Sequence, residues 1–413
     1  MKVLLDTTWI GSHYKLSSMH GGLRVISELT KQLENSDEIE LYYSSNTYNQ
    51  QIIDNLVLYL KENKIEDVSK KIANNQTDLF RGIQSLNLKI NALLTSDINV
   101  LKPFIPNLYD SSILKKIAIY HSPMEAIPEV IKRYSNIKRV FTSHDLMPFT
   151  RPDLAPTNFK DVLKPAYDSI DNQTNVICVS AFTKSELLSY RKDLDENQID
   201  VIYLGIDRKI FFQNKNKKSL SSLFEKYDLG FEKYFLCLNR NQKYKNTEHI
   251  IDSYIKLVNQ ESVNDIGLVL IGTFDTPENK KMFYEKCKKY KNIKFIEFVP
   301  DHELSLFYSN ALCFLYMSLY EGFGLPVIEA MECGAPVICS NQASLPEVIA
   351  DYGICIDPFD TDLLCFHMLN LIKSSKLQQE LVLKSIERAT FFSWEKNLNQ
   401  TISVYKKALH EYY

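Results

Sequence analysis

Hydrophobic residues along the chain form short runs, rich in β-branched and aromatic residues, that alternate with segments of helical periodicity. Runs that are apolar at nearly every position are typical of strands buried on both faces, as in parallel sheets covered by helices. The sequence therefore predicts an α/β fold with parallel sheets. The expected strands, in chain order, are KVLLD, IELYYSS, IAIYHS, RVFTSHD, NVICVS, DVIYLG, YFLCLN, GLVLIG, IKFIEF, CFLYMS and PVICS.

The length and the distribution of these strands predict two domains. A chain of 413 residues exceeds the roughly 250–300 residues at which a single hydrophobic core stops growing. A polar, basic stretch follows Gly205, so we place one domain at 1–205 and the other at 206–390. Residues 47–103 are a candidate insertion of unassigned role. Residues 391–413 carry apolar positions at helical spacing and predict a helix docked on a core.

Composition narrows the functional class. The net charge of −3 and the scattered basic residues argue against a nucleic-acid partner. The first apolar run is broken at Asp6, and no run approaches the roughly 20 residues that cross a bilayer. All eight cysteines lie from Cys178 onward without a C-x-x-C pair, which favours free thiols in the cytoplasm and no zinc site. We interpret two carboxylate pairs with metal-like spacing as solvated: Asp193 with Asp195, and Asp360 with Asp362.

The most informative stretch is SLYEGFGLPVIEAMECGAPVICS, residues 318–340, which predicts a strand, a glycine loop and a helix. Gly322 and Gly324 allow a tight loop, Pro326 suits a helix start, and Gly334 suits the position after a helix end. The unpaired N–H groups of a helix N-terminus bind phosphate groups well. The unit is therefore a candidate cradle for a diphosphate.

Two glutamates, Glu321 in the loop and Glu329 in the first turn or so of the helix, can face one crevice beyond the strand ends. The alternative is an ordinary βα unit with two solvated glutamates. However, EGFGLPVIEAMECGAPV closely resembles the signature of glycosyltransferase family 4, in which seven residues separate two glutamates. The resemblance implies the GT-B fold, with two Rossmann-like parallel-sheet domains facing each other across a cleft.

The resemblance also implies roles for residues of the second domain. Glu321 would face the donor sugar and Glu329 would hold the ribose of the nucleotide. The loop backbone would bind the sugar and phosphate through Gly322, Phe323, Gly324 and Leu325.

A basic pair, Arg240 and Lys245, follows the strand YFLCLN and resembles the cations with which the family holds the donor diphosphate. Two fixed cations offset the charge that grows on a leaving diphosphate, so the resemblance implies a metal-independent site without a cofactor. The residue before the arginine is Asn239, where the family usually has glycine, and a solvated basic loop is the alternative. Val299 occupies the place where the family's backbone meets the nucleotide base.

The first domain contributes a glycine loop and two histidines. Gly21 and Gly22 in HGGLRVISELTKQL resemble the family's N-terminal glycine loop, which approaches the donor; a plain turn before a helix is the alternative. His144 in HDLMP resembles the strand-end histidine that lies beside the reacting sugar and aligns donor with acceptor. His121 is a second candidate for the acceptor pocket, although a buried structural role is the stronger interpretation for it. FSWEKNLNQTISVY resembles the family's last helices, which cross back to the first domain.

The resemblance implies a retaining, mannosyltransferase-like enzyme. It would move a hexose from a UDP- or GDP-linked donor to a glycan or lipid-linked acceptor in cell-surface polysaccharide biosynthesis, by front-face attack. The alternatives are a nucleotide-sugar epimerase of the same fold, a non-catalytic scaffold, and a peripheral membrane-binding module. Basic pairs suggest this last alternative and a place at the inner face of the plasma membrane: Lys115-Lys116, Lys132-Arg133 and Lys138-Arg139.

Overall fold

All the strands expected from the sequence are present in the computed structural model, which describes residues 1–13, 21–45, 50–65, 71–73, 109–238, 242–261, 263, 265–274 and 276–410. A further strand, β12, was not expected because it has only three residues, of which one is buried. The strands are β1 (Lys2–Asp6), β2 (Glu40–Ser44), β3 (Ile119–Ser122), β4 (Lys138–Ser143), β5 (Thr174–Cys178), β6 (Ile199–Val201), β7 (Lys233–Leu238), β8 (Ile266–Ile271), β9 (Ile293–Ile296), β10 (Cys313–Tyr316), β11 (Val337–Ser340) and β12 (Ile354–Ile356).

Helices separate most of the strands, as the alternating pattern predicts. They are α1 (Thr8–His13), α2 (Gly21–Glu34), α3 (Gln50–Glu62), α4 (Ser111–Leu114), α5 (Glu129–Lys132), α6 (Met147–Thr150), α7 (Phe159–Asp168), α8 (Ala181–Tyr190), α9 (Lys217–Lys226), α10 (Thr247–Gln260), α11 (Pro277–Cys287), α12 (Asp301–Asn310), α13 (Leu325–Glu332), α14 (Leu345–Ile349), α15 (Thr361–Lys373), α16 (Ser375–Ala389) and α17 (Trp394–His410).

The strands form two parallel sheets of six. The first has the order β2-β1-β3-β4-β5-β6, and the second has the order β12-β11-β10-β7-β8-β9. Helices cover both faces of each sheet, so alternate residues of a strand enter different cores. In β7, for example, Tyr234 and Leu236 pack on one side while Phe235 and Cys237 pack on the other. The predicted α/β architecture with two parallel-sheet units is confirmed.

The strand order fixes where ligands are expected. In the second sheet the chain starts at β7, runs outward through β8 and β9, and then returns to the other side at β10. The reversal leaves a crevice beyond the carboxyl ends of β7 and β10, and open α/β sheets bind ligands in such crevices. The first sheet reverses in the same way between β1 and β3.

The link between the sheets and the last helix lie close together. A side chain at Gly205 would overlap the backbone of Trp394, and the Asn397 amide donates to the Tyr203 carbonyl at 2.9 Å. From there α17 runs along the first sheet, packing on α2, β4 and β5. The boundaries at Gly205 and residue 390 remain predictions.

Several surface expectations can be compared with the described residues. Within 47–103 these are 50–65, which include α3, and 71–73, of which Ile72 bridges to Tyr43; 47–49, 66–70 and 74–103 lie outside them. The eight cysteines are free thiols, and only Cys355 is exposed. Arg139 is buried and paired with Asp171 at 3.0 Å, so Lys138-Arg139 is not the exposed basic pair that the sequence suggested. No helix among the described residues is long and apolar enough to span a bilayer.

Candidate active site

The crevice of the second sheet collects most of the residues singled out from the sequence. Lys245 lies in a short 3₁₀ turn, Lys243–Lys245, that follows β7, and the glycine loop follows β10. Because β7 and β10 are neighbours, their carboxyl ends bring together segments that are far apart in the chain. Arg240 and Asn239 lie outside the described residues, so the first cation of the predicted pair stays a prediction.

Lys245 and Glu321 form a buried ion pair at this crevice. The lysine ammonium donates to Glu321 Oε1 and to the Tyr316 hydroxyl, both at 2.6 Å, and that hydroxyl donates to the same carboxylate oxygen at 2.8 Å. The ammonium also lies 4.8 Å from the ring centroid of Tyr316 and 4.9 Å from that of Tyr244. Burial lowers the pKa of Lys245, but the charge and hydrogen bond of Glu321, together with the Tyr244 and Tyr316 hydroxyls, outweigh burial and leave that pKa well above its usual range. The lysine is therefore a fixed cation.

The glycine loop has the conformation expected from its sequence. Gly324 precedes α13 with φ of 105°, a left-handed conformation that favours glycine, and Gly334 follows the helix with φ of 76°. The side chain of Phe323 is buried in the core, so only its backbone is available to a ligand. The Ser344 hydroxyl, just before α14, bonds the carbonyl oxygens of Glu321 at 2.9 Å and Phe323 at 2.8 Å. These bonds fix the loop against the next βα unit.

Glu329 is bonded from across the cleft. It is the fifth residue of α13, slightly further along the helix than expected, and is almost fully buried. Arg24 of α2 donates through Nη1 to Glu329 Oε1 at 2.5 Å and through Nη2 to Asp301 Oδ1 at 2.8 Å. Burial raises the pKa of Glu329 more than Arg24 lowers it, while the charge of Glu329 raises the pKa of Arg24.

The strand-end loops of the two sheets touch at Gly322. A side chain there would overlap the carbonyl oxygen of His144, which shows why only glycine fits at this contact. The Gly322 carbonyl accepts hydrogen bonds from the Ser180 hydroxyl at 2.6 Å and the Thr183 hydroxyl at 3.1 Å, both at the start of α8. The predicted donor loop and His144 are therefore brought together.

His144 is held by one ring nitrogen. Its Nε2 lies 2.8 Å from the Pro123 carbonyl oxygen, which can only accept, so Nε2 carries the proton and Nδ1 carries the lone pair. Burial lowers the pKa of His144 to about 4, although the Pro123 carbonyl acts in the opposite direction. The imidazole is thus neutral near pH 7 and can accept a hydrogen bond through Nδ1.

The contacts of His121 bear on the acceptor role considered for it. It is fully buried in β3, with Nδ1 2.6 Å from the Tyr405 hydroxyl and Nε2 2.8 Å from the Thr142 hydroxyl. Burial lowers the pKa of His121 to about 3, so the ring is neutral. Both ring nitrogens have protein partners, and this placement favours the structural interpretation.

The remaining predicted residues lie on the same helices as Arg24 and its partners, or just before them. Gly21 and Gly22 begin α2, and a side chain at Gly22 would meet only the Met124 thioether at 3.5 Å, an ordinary contact. Val299 is buried two residues before Asp301, so it can offer a ligand only its backbone. Leu325 is the first residue of α13 and is half-buried.

Sequence reasoning missed Arg24, Tyr316 and Ser344. Arg24 is the fourth residue of the helix that starts at the glycine pair, and Tyr316 ends the strand before the signature. Their positions next to recognised motifs were a usable signal. The partner of each could not be read from the sequence, because the Arg24–Glu329 bond joins residues 305 positions apart.

The site has a definite charge pattern. Each signature glutamate is paired with a cation, Glu321 with Lys245 and Glu329 with Arg24. Among the described residues, no group of three or more His, Cys, Asp or Glu side chains could hold a metal ion. The aspartates with metal-like spacing serve local structure: Asp195 and Asp360 cap helical turns, while Asp193 and Asp362 pair with Arg191 and Lys256.

The amino-acid sequence matches two family models and several characterised proteins. The family model described as "Glycosyl transferases group 1" matches residues 204–388, and the one described as "Glycosyltransferase Family 4" matches residues 98–209. The chain is 30% identical over 291 residues to O-antigen chain mannosyltransferase B of Escherichia coli, covering 70% of this chain and 74% of that one. It is 26% identical over 278 residues to the serotype-specific mannosyltransferase WbdA of Escherichia coli, covering 66% of this chain but only 34% of that longer protein.

Solved structures share the fold over nearly the whole chain. A glycosyltransferase from Rickettsia africae superposes with a TM-score of 0.68 at 17% identity, covering 99% of both chains. HepE of Anabaena, in complex with UDP and glucose, superposes with a TM-score of 0.68 at 16% identity, covering 98% of this chain and all of that one. With the two six-stranded sheets, these likenesses confirm the GT-B fold.

Proposed function

Because the chain belongs to glycosyltransferase family 4, we propose that it moves a hexose of the mannose type from a nucleotide-diphosphate sugar to a glycan acceptor, with retention of the anomeric configuration. The mannosyltransferase names of the relatives support the sugar, and the HepE complex with UDP and glucose supports a nucleotide-linked donor. The observation that carries the proposal is the pairing of both signature glutamates with cations at the strand-end crevice.

The charges of the crevice match those of the proposed donor. A diphosphate has the charge to bind Lys245 and the N–H groups at the start of α13, while sugar and ribose hydroxyls can donate to Glu321 and Glu329. Arg240 belongs to this proposal as a second cation. Fixed cations and helix N–H groups that stabilise the leaving diphosphate make a metal ion unnecessary in this scheme.

The proposed chemistry is front-face displacement. The bond between the anomeric carbon and the diphosphate oxygen breaks as the acceptor oxygen bonds the same face, and the acceptor proton passes to the leaving phosphate. Neutral His144 has its N–H occupied by Pro123 and offers its Nδ1 lone pair, so we assign it the alignment of a sugar hydroxyl. This role needs no change in its protonation.

A transfer assay tests the reaction. Purified protein is incubated with GDP-mannose or UDP-glucose and a saccharide acceptor, with and without EDTA, and the anomeric configuration of the product is read by NMR. We expect transfer with retention that persists in EDTA. Donor consumption without an acceptor would favour an epimerase, an inverted product would exclude retention, and loss in EDTA restored by manganese or magnesium would exclude metal independence.

Calorimetric titration tests the two glutamates separately. Hydrogen bonds to a charged partner contribute roughly 1.5–3 kcal/mol, so Glu329→Gln should weaken binding of UDP, GDP or ADP, whichever the protein accepts, by roughly ten- to a hundredfold. Glu321→Gln should leave nucleotide-diphosphate binding nearly unchanged while transfer falls. Equal effects of both variants would refute the division of roles.

The acceptor class and the place of action are also proposals. The O-antigen name of the relative supports a polysaccharide or lipid-linked glycan acceptor, and a lipid-linked acceptor would bring the protein to the inner face of the plasma membrane. Lys115 and Lys116, both exposed, remain candidates for contact with acidic lipids. Sedimentation with acidic and neutral vesicles tests this, and equal partition into both would argue against electrostatic attachment.

A further inference from the structure

Arg24 is the residue through which the first domain reaches the predicted nucleotide site. Its guanidinium bonds Glu329 at 2.5 Å and Asp301 at 2.8 Å, and it lies 5.6 Å from the centroid of the Phe211 ring. All three partners belong to the chain that follows the link at Gly205, whereas Arg24 lies on α2 beside the N-terminal glycine pair. The contact therefore joins the two sides of the cleft.

The geometry of Arg24 leaves it able to bind a further anion. A guanidinium has five N–H groups in a planar fork, and the bonds to Glu329 and Asp301 use one hydrogen on each of two nitrogens. Its side chain is 29% exposed, whereas that of Glu329 is 5% exposed, so the solvent side of this pair is the arginine. Planar N–H pairs suit phosphate oxygens particularly well.

The charge count also favours an anionic ligand next to Arg24. The arginine neutralises a carboxylate that the proposed function assigns to ribose hydroxyls. Ribose hydroxyls that donate to Glu329 share this carboxylate with Arg24, and the remaining Arg24 N–H groups can bond another acceptor. The phosphates attached to the same ribose are the nearest anions in such a ligand.

We propose that Arg24 is a donor-binding residue supplied by the first domain, which contacts the diphosphate of the bound nucleotide while Glu329 receives the ribose hydroxyls. This inference rests on the proposed function, because it requires a nucleotide-diphosphate ligand. Donor binding then adds ligand contacts to both partners of an internal ion pair, one from each side of the cleft.

Nucleotides of increasing phosphate number test the proposal. Calorimetry compares uridine, UMP and UDP, and guanosine, GMP and GDP, on wild type, Arg24→Gln and Arg24→Lys. Arg24→Gln should weaken diphosphate binding by about ten- to a hundredfold and leave nucleoside binding within about twofold. Arg24→Lys, which keeps the charge but not the fork, should show a smaller loss and guards against a folding defect in the glutamine variant.

Arg208 supplies a matched control. It pairs with Glu332, on the same helix as Glu329, at 3.1 Å and bonds the Ala389 carbonyl, but no predicted donor residue. Arg208→Gln should leave all six affinities unchanged. An equal loss in the Arg208 variant would mean a general charge effect and would overturn the proposal.

Two further outcomes would also overturn it. If Arg24→Gln weakens nucleoside binding and diphosphate binding equally, Arg24 only supports Glu329. If diphosphate binding of this variant is unchanged or tighter, Arg24 does not contact the phosphates. If wild type binds none of the six ligands and no ADP either, the proposed function itself fails. If wild type binds a nucleoside diphosphate and the Arg24 substitutions leave that affinity unchanged, this inference alone fails.

Discussion

The buried pair of Lys245 and Glu321 should show strong energetic coupling. The perturbation is Lys245→Met, Glu321→Gln and the two together, which remove charge while nearly preserving volume. Their side chains are 10% and 13% exposed, so solvent can replace little of what each loses. Either single change leaves a buried charge without its opposite partner.

The expected magnitude follows from the geometry. At 2.6 Å and an effective dielectric constant of about 20, two unit charges attract by about 6 kcal/mol, most of which offsets their desolvation. Removing one partner of a buried pair costs about 3–5 kcal/mol. We expect about 3 kcal/mol for each single variant, because Tyr316 still bonds the remaining charge. The double variant should cost about 3–4 kcal/mol rather than about 6, a coupling of about 2–3 kcal/mol.

The measurement is urea unfolding followed by circular dichroism, with unchanged slopes required for comparison. Lys226 and Glu303 form the matched control, because they also approach to 2.6 Å but the lysine is 52% exposed. Their coupling should be much weaker, because solvent screens an exposed pair. Additive losses at Lys245 and Glu321, or equal coupling in both pairs, would refute the argument that burial makes this pair strong.

Three shorter predictions concern the contact between the strand-end loops. Gly322→Ala should push the loops apart, costing about 1–3 kcal/mol in urea unfolding and at least tenfold in transfer rate. Gly230→Ala is the control, because an added methyl there meets nothing within 4 Å and should change neither quantity. Equal effects of the two variants would refute the steric argument. In steady-state kinetics, His144→Ala should lower turnover by about ten- to a hundredfold while nucleotide binding is kept. The control is His302→Ala, at an exposed histidine. Unchanged turnover of the His144 variant would leave His144 only a structural role. Burial raises the pKa of Asp145 to about 6. The folded state therefore holds an extra proton there between about pH 4 and 6 and loses stability as the pH rises through that window. Relative to wild type, Asp145→Asn should gain about 2–3 kcal/mol between pH 4 and 7, and a pH-independent difference would contradict the raised pKa.

The fold was largely predictable because its signals are local. Each buried strand appears as its own apolar run, and the glycine loop specifies its own conformation through Gly324 and Gly334. β12 escaped prediction because two of its three residues are not buried, so it has no continuous apolar run.

The candidate site was predictable only in part, since its pairings are not local. The motifs identified Lys245, Glu321 and Glu329, but Lys245 and Glu321 are 76 positions apart and nothing in either motif specifies the other. Arg24 was missed for the same reason. His121 shows the opposite limit: a histidine at a strand end has the same sequence pattern whether it binds a ligand or, as here, the Tyr405 hydroxyl.

The position of α17 has a consequence for the order in which the protein is made. The first sheet needs Tyr405 to satisfy the buried ring of His121 and needs the apolar face of α17 to cover β4 and β5. A ribosome translates α17 only after every strand of both sheets, so the amino-terminal half must wait with an uncovered core while the second sheet can already fold. For this chain the half that is synthesised first is the half that is completed last.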